Sequence, residues 1–409
     1  MAQMHEWGED ILGPRFRMLP ITVGDGDTAV IIAPALPGAA AGDGGADAGQ
    51  LRDADPARRE TGPTLRDAEP ALQPSGTARP VVPARTAVIY VHGWSDYFFH
   101  HRLADYYASL GIAFYAIDLR RYGRSLLIEA AGGPEHWAPH TSKTAAAHAE
   151  ATAHGSPAAH PDAAAALAVA AEDDLPGRAL TGPGTHAGYI EDLRAYDEEI
   201  AAALTVVEAE NPGAQVLLHG HSTGGLILAL WAARHRDTAC GLLLNSPWLE
   251  FQYDAAARKL MNAWMGLRSK SAKPLNVQLP NFYTLASASL GRLPYDLRLK
   301  PPGGFPIYPA WLQAIFAGHK QVEAGLGLTI PTLVQISATT LRGASFTSSM
   351  ATADIVLDVD VIARRALSLG ESMTIERIPN AMHDVFISAE APRRQAYDGL
   401  ARFLFGVLG

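Results

Sequence analysis

Short apolar runs alternate with segments of helical spacing through most of this chain, and that alternation limits the fold more than any other feature. TAVIYVHGW (86–94), IAFYAIDLR (112–120), QVLLHG (215–220), GLLLNS (241–246), TLVQISA (332–338) and MTIERIP (373–379) each read as a short strand. Helical patterns stand between them. YFFHHRLADYYASLG closes at Gly111, and AGYIEDLRAYDEEIAAALTVVEAENPG ends in a Pro-Gly stop. Further helices are expected from about Gly224 to Arg236, near Val361 to Leu369, and at the end through Leu404. Strands that are apolar on both faces, separated by helices, make a mostly parallel sheet covered on both sides, so the expected fold class is α/β. Two more strands are expected earlier, around Arg15 to Thr22 and Ala29 to Ala35.

Three stretches break the alternation. Residues 38–84 are rich in Ala, Gly, Pro and Asp and carry almost no large apolar side chain, too little to offset the entropy of ordering them; a mobile loop is expected. Residues 129–184 are Ala-rich and include His136, His140, His148, His154 and His160, whose spacing fits no metal site of defined geometry, so a surface insertion is expected. Residues 249–329 are rich in aromatics and Met and sit between two consecutive core strands, too long for a plain connection. They are expected to form a cap over the C-terminal edge of the sheet, with 1–248 and 330–409 as the core.

Composition narrows the function classes. The chain has 409 residues, 48% of them hydrophobic, enough for one large core. A formal net charge of −9 with no large Lys/Arg cluster gives no reason to approach nucleic acid. The single cysteine, Cys240, excludes an internal disulfide and reads as a small buried apolar residue. MAQMHEWGEDILGPRF carries acids where a signal peptide would carry base, and no stretch approaches the roughly 20 apolar residues of a membrane span. A cytoplasmic location is therefore expected.

The chemistry is concentrated in LLHGHSTGGLIL (217–228). Gly220-His221-Ser222-Thr223-Gly224 is a G-x-S-x-G pentapeptide with an apolar strand before it and an apolar helix after it, the setting of a nucleophile elbow. A serine hydroxyl needs a base and a group to orient that base, and here both should come later in the chain, acid before histidine. Only His235, His319 and His383 lie downstream. His235 falls far along the helix after the elbow and His319 in the expected cap, whereas His383, in IPNAMHDVF, directly follows the last strand. The acid should follow TLVQISA, yet TTLRGASFTSSMAT contains no carboxylate; Asp354 is the first to come. Asp358 is the second choice, being explained together with Asp360 as a helix cap, and Glu250 is the third. Backbone amides of Thr223, after the nucleophile, and Trp94, after His92-Gly93, are expected to form the oxyanion hole, with His92 holding its loop.

The stretch VIYVHGWSDYFFHHRLADYYASLGIAFYAIDLRRYGRS, then LLHGHSTGG, TADIVLD and AMHD resemble the α/β-hydrolase superfamily, in particular the branch of monoacylglycerol lipases, lysophospholipases and related esterases. The resemblance spans about 86–128, 185–248 and 331–409. It implies Ser222 as nucleophile, Asp354 as acid, His383 as base and the Trp94 and Thr223 amides as the oxyanion hole. The expected activity is hydrolysis of carboxylic esters through an acyl-enzyme, which requires no metal or organic cofactor, and the aromatic and Met-rich cap suggests a small-molecule substrate with an apolar acyl or aryl group. The two long insertions and the long Ser/Thr-rich stretch before Asp354 depart from the family's compact pattern. An acyltransferase, lactonase or peptidase would use the same residues, and an inactive binding domain is the rival from another class. A dehalogenase would want a carboxylate where Ser222 stands.

Overall fold

The computed structural model describes residues 2–24, 26–36, 84–136, 180–181, 185–251, 273–277, 279–290, 293 and 295–408. One unit comprises Met1–Pro34 with Pro83–Gly409; the other, Ala35–Val82, lies almost wholly outside the described residues. The loops expected over 38–84 and 129–184 therefore fall mostly outside them, as do His140, His148, His154 and His160. The described start of the second stretch is ordered chain: a helix over Gly123–Ala130 runs into it and a 3-10 turn over Pro134–His136 follows.

The strands are β1 (Gln3–Met4), β2 (Gly8–Glu9), β3 (Phe16–Val23), β4 (Asp27–Pro34), β5 (Thr86–Val91), β6 (Ala113–Asp118), β7 (Gln215–His221), β8 (Gly241–Asn245), β9 (Thr332–Ser337) and β10 (Met373–Ile378). They form one sheet in the order β1-β3-β4-β6-β5-β7-β8-β9-β10, with β2 on β3. From β6 to β10 every pairing is parallel; β1 to β4 add an antiparallel flank. The helices are α1 (His101–Ser109), α2 (Gly123–Ala130), α3 (Asp197–Glu210), α4 (Thr223–Arg234), α5 (Phe282–Ser289), α6 (Pro309–Ala324), α7 (Val359–Ala366) and α8 (Glu390–Leu408). Both α5 and α6 lie in the excursion between β8 and β9, and α6 packs on α4.

Strand periodicity explains the layers. Ile89, Val91, Ile117, Leu218, Leu244 and Val334 point to one face, where they meet α3, α4, α6 and α7; Val88, Tyr90, Phe114, Leu217, Leu243 and Leu333 point to the other, under α1 and α8. Each fully buried aliphatic or aromatic side chain of this kind contributes about 1.5–3 kcal/mol, which explains why a run apolar on both faces cannot be an edge strand. Cys240 is only half-buried, packed at the margin of the second cluster, rather than a core residue.

Two polar features sit inside this core. Arg124 of α2 is fully buried, donating to Asp10 (2.5 and 2.8 Å) and Asp118 (2.8 Å); Asp118 also accepts from the Phe98 amide (2.7 Å). These bonds tie the N-terminal residues, the end of β6 and the loop after β5 into one knot. His219 of β7 bonds Tyr107 Oη through Nδ1 (2.9 Å) among the rings of Tyr90 and Phe386, and burial pushes its pKa down to about 3. Burial likewise pushes His221 down to about 4.

Removing the guanidinium should leave two carboxylates buried without their cation, so Arg124→Met is expected to cost about 3–5 kcal/mol, measured by urea unfolding. The two histidines predict a pH dependence. Because their folded pKa values lie below the ordinary 6.5, the unfolded chain binds more protons as pH falls from about 6.5 towards 4. Stability should therefore fall across that window, each group adding a slope of up to about 1.4 kcal/mol per pH unit. Urea titrations of His219→Leu at pH 7, 5.5 and 4.5 should show a shallower fall than wild type; an equal slope would contradict the assignment.

Candidate active site

The turn between β7 and α4 places Ser222 at φ 51° and ψ −116°, a conformation that costs a non-glycine residue about 1–3 kcal/mol. Backbone bonds hold it there: the Ser222 amide donates to Asn245 O (2.9 Å), and the Trp248 amide donates to Ser222 O (3.0 Å). The flanking glycines are a steric requirement. A Cβ on Gly220 would lie 2.6 Å from Gly225 Cα, and one on Gly224 would strike the carbonyls of Val91 and His92. Helix and strand close so tightly that the serine is turned outward.

His383 lies on the loop after β10, and Asp354 arrives by a less direct route. The Ser/Thr-rich stretch leaves β9, makes an excursion through the 3-10 turn Ser348–Thr352, and returns to a parallel bridge between Thr340 and Asp354. The Asp354 amide donates to Thr339 O (2.9 Å) and the Leu341 amide to Asp354 O (3.0 Å). Asp354 thus stands just beyond the strand end despite the long separation in sequence. Its Oδ1 accepts from the amides of Val356 (2.8 Å) and Leu357 (2.7 Å), leaving Oδ2 for His383 Nδ1 at 2.8 Å. His383 Nε2 is 3.1 Å from Ser222 Oγ. A carboxylate only accepts, so Nδ1 carries the proton and Nε2 is free to accept from the serine. All three residues are buried.

The other candidates go elsewhere. Asp358 caps α7, accepting from the amides of Asp360 (3.1 Å) and Val361 (3.0 Å), and Asp360 pairs with Arg377 (2.6 Å). Glu250 pairs with Arg365 (2.7 Å). His235 is exposed at the end of α4, and His319 bonds the Trp248 carbonyl through Nε2 (2.8 Å).

Thr223 is the first residue of α4, where an amide has no intrahelical acceptor, and the Trp94 amide makes no backbone hydrogen bond among the described residues. Gly93 passes so close that a Cβ there would be 3.1 Å from Ser222 Cβ. His92 braces this loop. The Leu119 amide donates to its Nε2 (3.1 Å), so Nδ1 carries the proton and donates to Gly93 O (2.7 Å). Burial lowers its pKa and favours that neutral form.

Beneath the three residues lies a polar layer that sequence reasoning missed. Asn245 Nδ2 donates to Asp384 Oδ1 (2.8 Å) and Asn245 Oδ1 accepts from the Val385 amide (3.2 Å), clamping the His383 loop to the strand whose carbonyl holds Ser222. Asp384 Oδ2 faces His100 Nε2 at 3.1 Å. Burial pushes the Asp384 carboxyl up, but His100, His221 and the Asn245 hydrogen bond together hold it well below the carboxylate range. The one signal in the sequence was polar residues at the ends of apolar strands, which do not say which residue they meet.

A cavity of about 1280 Å³ opens above Ser222 and His383. One wall is aromatic: Trp94 and Trp311 have ring centroids 5.2 Å apart, Trp311 and Trp248 5.9 Å, Trp248 and Phe251 5.8 Å. Asp96 and Lys300 line another part, with Asp96 Oδ1 2.7 Å from Lys300 Nζ. No helix among the described residues is long and apolar enough to cross a membrane.

Residues 163–339 match the family model described as serine aminopeptidase, S33. No curated protein sequence matches. Among solved structures, the chain is similar to a highly thermostable carboxyl esterase from Bacillus coagulans, in complex with glycerol, at 13% identity and a TM-score of 0.51, covering 96% of this chain and 99% of that one. It is also similar to the monoacylglycerol lipase of Paleococcus ferrophilus (17% identity, 79% and 95% covered, TM-score 0.47). A soluble variant of monoglyceride lipase from Saccharomyces cerevisiae, in complex with a substrate analog, gives 13%, 79% and 87%, and 0.48. With its parallel sheet, its strand–elbow–helix turn and its likeness to the carboxyl esterase structure, the chain has the α/β-hydrolase fold.

Proposed function

We propose that the chain is a serine hydrolase of carboxylic esters working through an acyl-enzyme. The observation that carries this reading is the continuous line of hydrogen bonds Asp354–His383–Ser222, ending at an aromatic cavity. His383 Nε2 takes the Ser222 proton as Oγ attacks the ester carbon, and Asp354 stabilises the imidazolium. The Trp94 and Thr223 amides receive the negative oxygen, each such donor being worth about 3–4 kcal/mol at the transition state. Collapse expels the alcohol, which takes the proton from Nε2, and water then releases the acid by the same route. Residues 249–329 serve as the cap, and the wall of Trp94, Trp248, Phe251 and Trp311 takes an apolar acyl or aryl group.

The aminopeptidase model makes a peptidase the second reading. That chemistry needs a carboxylate to receive the substrate's ammonium group. Among the described residues lining the cavity, the one carboxylate is Asp96, already paired with Lys300, which favours the ester.

A panel of p-nitrophenyl esters of increasing acyl length, with aminoacyl p-nitroanilides beside it, tests this. Ser222→Ala should abolish turnover, and Asp354→Asn should lower kcat by roughly 10⁴ because the histidine loses its tautomer. Asp358→Asn should keep the rate, since Asn also caps a helix well. Normal turnover by Ser222→Ala, or a collapse confined to Asp358→Asn, would overturn the assignment.

A further inference from the structure

The loop that carries the Trp94 amide is interlocked with one short segment of the excursion between β8 and β9. The Trp94 ring lies 5.2 Å from Trp311 and 6.3 Å from Phe305, and a Cβ on Gly304 would be 2.9 Å from it. The Asp296 amide donates to Tyr97 Oη (2.7 Å), and the Phe99 and Tyr295 rings are 5.2 Å apart. At the centre, Lys300 Nζ donates to Asp96 Oδ1 (2.7 Å) and stands 5.3, 5.2 and 5.0 Å from the ring centroids of Phe99, Tyr283 and Tyr295. Between Trp94 and Asp96, Ser95 is held at φ 51°.

Asp96 is buried two residues from the amide expected to face a negative oxygen, and its Oδ2 has no hydrogen-bond partner. A carboxylate there, without compensation, would oppose the developing oxyanion, because charges a few ångströms apart interact strongly where water is excluded. Of the other basic groups that act on it, His221 lies 4.0 Å from Oδ2 and is kept neutral by burial, burial also lowers the pKa of His92, and His100 faces Asp384 instead. Lys300 is therefore the full positive charge that cancels Asp96, and it comes from the segment that closes over the cavity.

We propose that Lys300 is a positioning residue for the ester hydrolysis above, an inference that rests on that reading. It cancels the Asp96 charge beside the oxyanion loop, so that the Trp94 amide meets the negative oxygen with no uncompensated carboxylate next to it.

The test is steady-state kinetics on p-nitrophenyl butyrate for wild type, Lys300→Met, Asp96→Asn and the double variant, with thermal unfolding of each. Lys300→Met should lose roughly 10- to 100-fold in kcat while KM moves by less than about 3-fold. The double variant, having no charge left to cancel, should regain most of that loss. A structural tether alone would leave the double variant as slow as the single one, and that result overturns the proposal, as does an unchanged kcat in Lys300→Met. If Lys300→Met fails to fold, Lys300→Arg and Lys300→Gln replace it; near-normal kcat in Arg with loss in Gln supports the proposal, and equal rates overturn it. A wild type inactive on every ester would overturn the hydrolase reading and this inference together, whereas an active wild type isolates the question of Lys300.

Discussion

The site depends on a backbone that would not stay bent by itself. Ser222 occupies a conformation unfavourable for a residue with a Cβ, and nothing in its own side chain repays that. The cost is carried by its neighbours: β8 offers the Asn245 carbonyl to the Ser222 amide, and the glycines let α4 settle against the ends of β5 and β7. The Ser222 amide and carbonyl are both hydrogen-bonded and the glycines leave no spare room at this point, so relaxing the turn would break several contacts at once. A rigid sheet is thus what keeps one hydroxyl where an imidazole can reach it.

The layer below the site performs a second task, holding two loops that are far apart in sequence at a fixed separation. Asn245 is the clearest case. Its main chain holds the nucleophile while its side chain holds the residue following His383. Around it, Asp384, His100, His221 and Asp96 are polar groups with almost no access to water, and each finds at least one charged or hydrogen-bonding neighbour. Buried polar groups cost several kcal/mol when orphaned, so such a layer specifies one arrangement far more sharply than an apolar filling would.

Much of this was legible from residue order. The five strands β5 to β9 and the helices α1, α3, α4, α7 and α8 follow from apolar periodicity, because a sheet covered on both faces demands unbroken apolar runs. By contrast β10, MTIERI, stands at the sheet edge and is only partly buried. The elbow was legible because glycine spacing reports close backbone approach. The short strands β1 and β2 and the helix α2 were not: two-residue pairings leave no periodic trace, and α2 is anchored by a buried arginine that reads as a surface residue. The hydrogen-bonded set of Ser222, His383 and Asp354 had been assembled from order along the chain, but Asn245, Asp384, Asp96 and Lys300 had not. Asn245 and Asp384 are 139 residues apart and Asp96 and Lys300 are 204 apart, and no local pattern encodes such a meeting of side chains.

The parallel bridge between Thr340 and Asp354 works as the neck of a looping detour whose two ends are fastened to each other. Chain added to or removed from the detour's tip changes its length without shifting its base, since lengthening a closed loop adds only a slowly growing entropic cost. Distance counted in residues between a strand and its acid is therefore a poor guide here. What locates the carboxylate is the pair of main-chain bonds at the neck, while the turn Ser348–Thr352 farther out buries Met350 and Ala351 against α5.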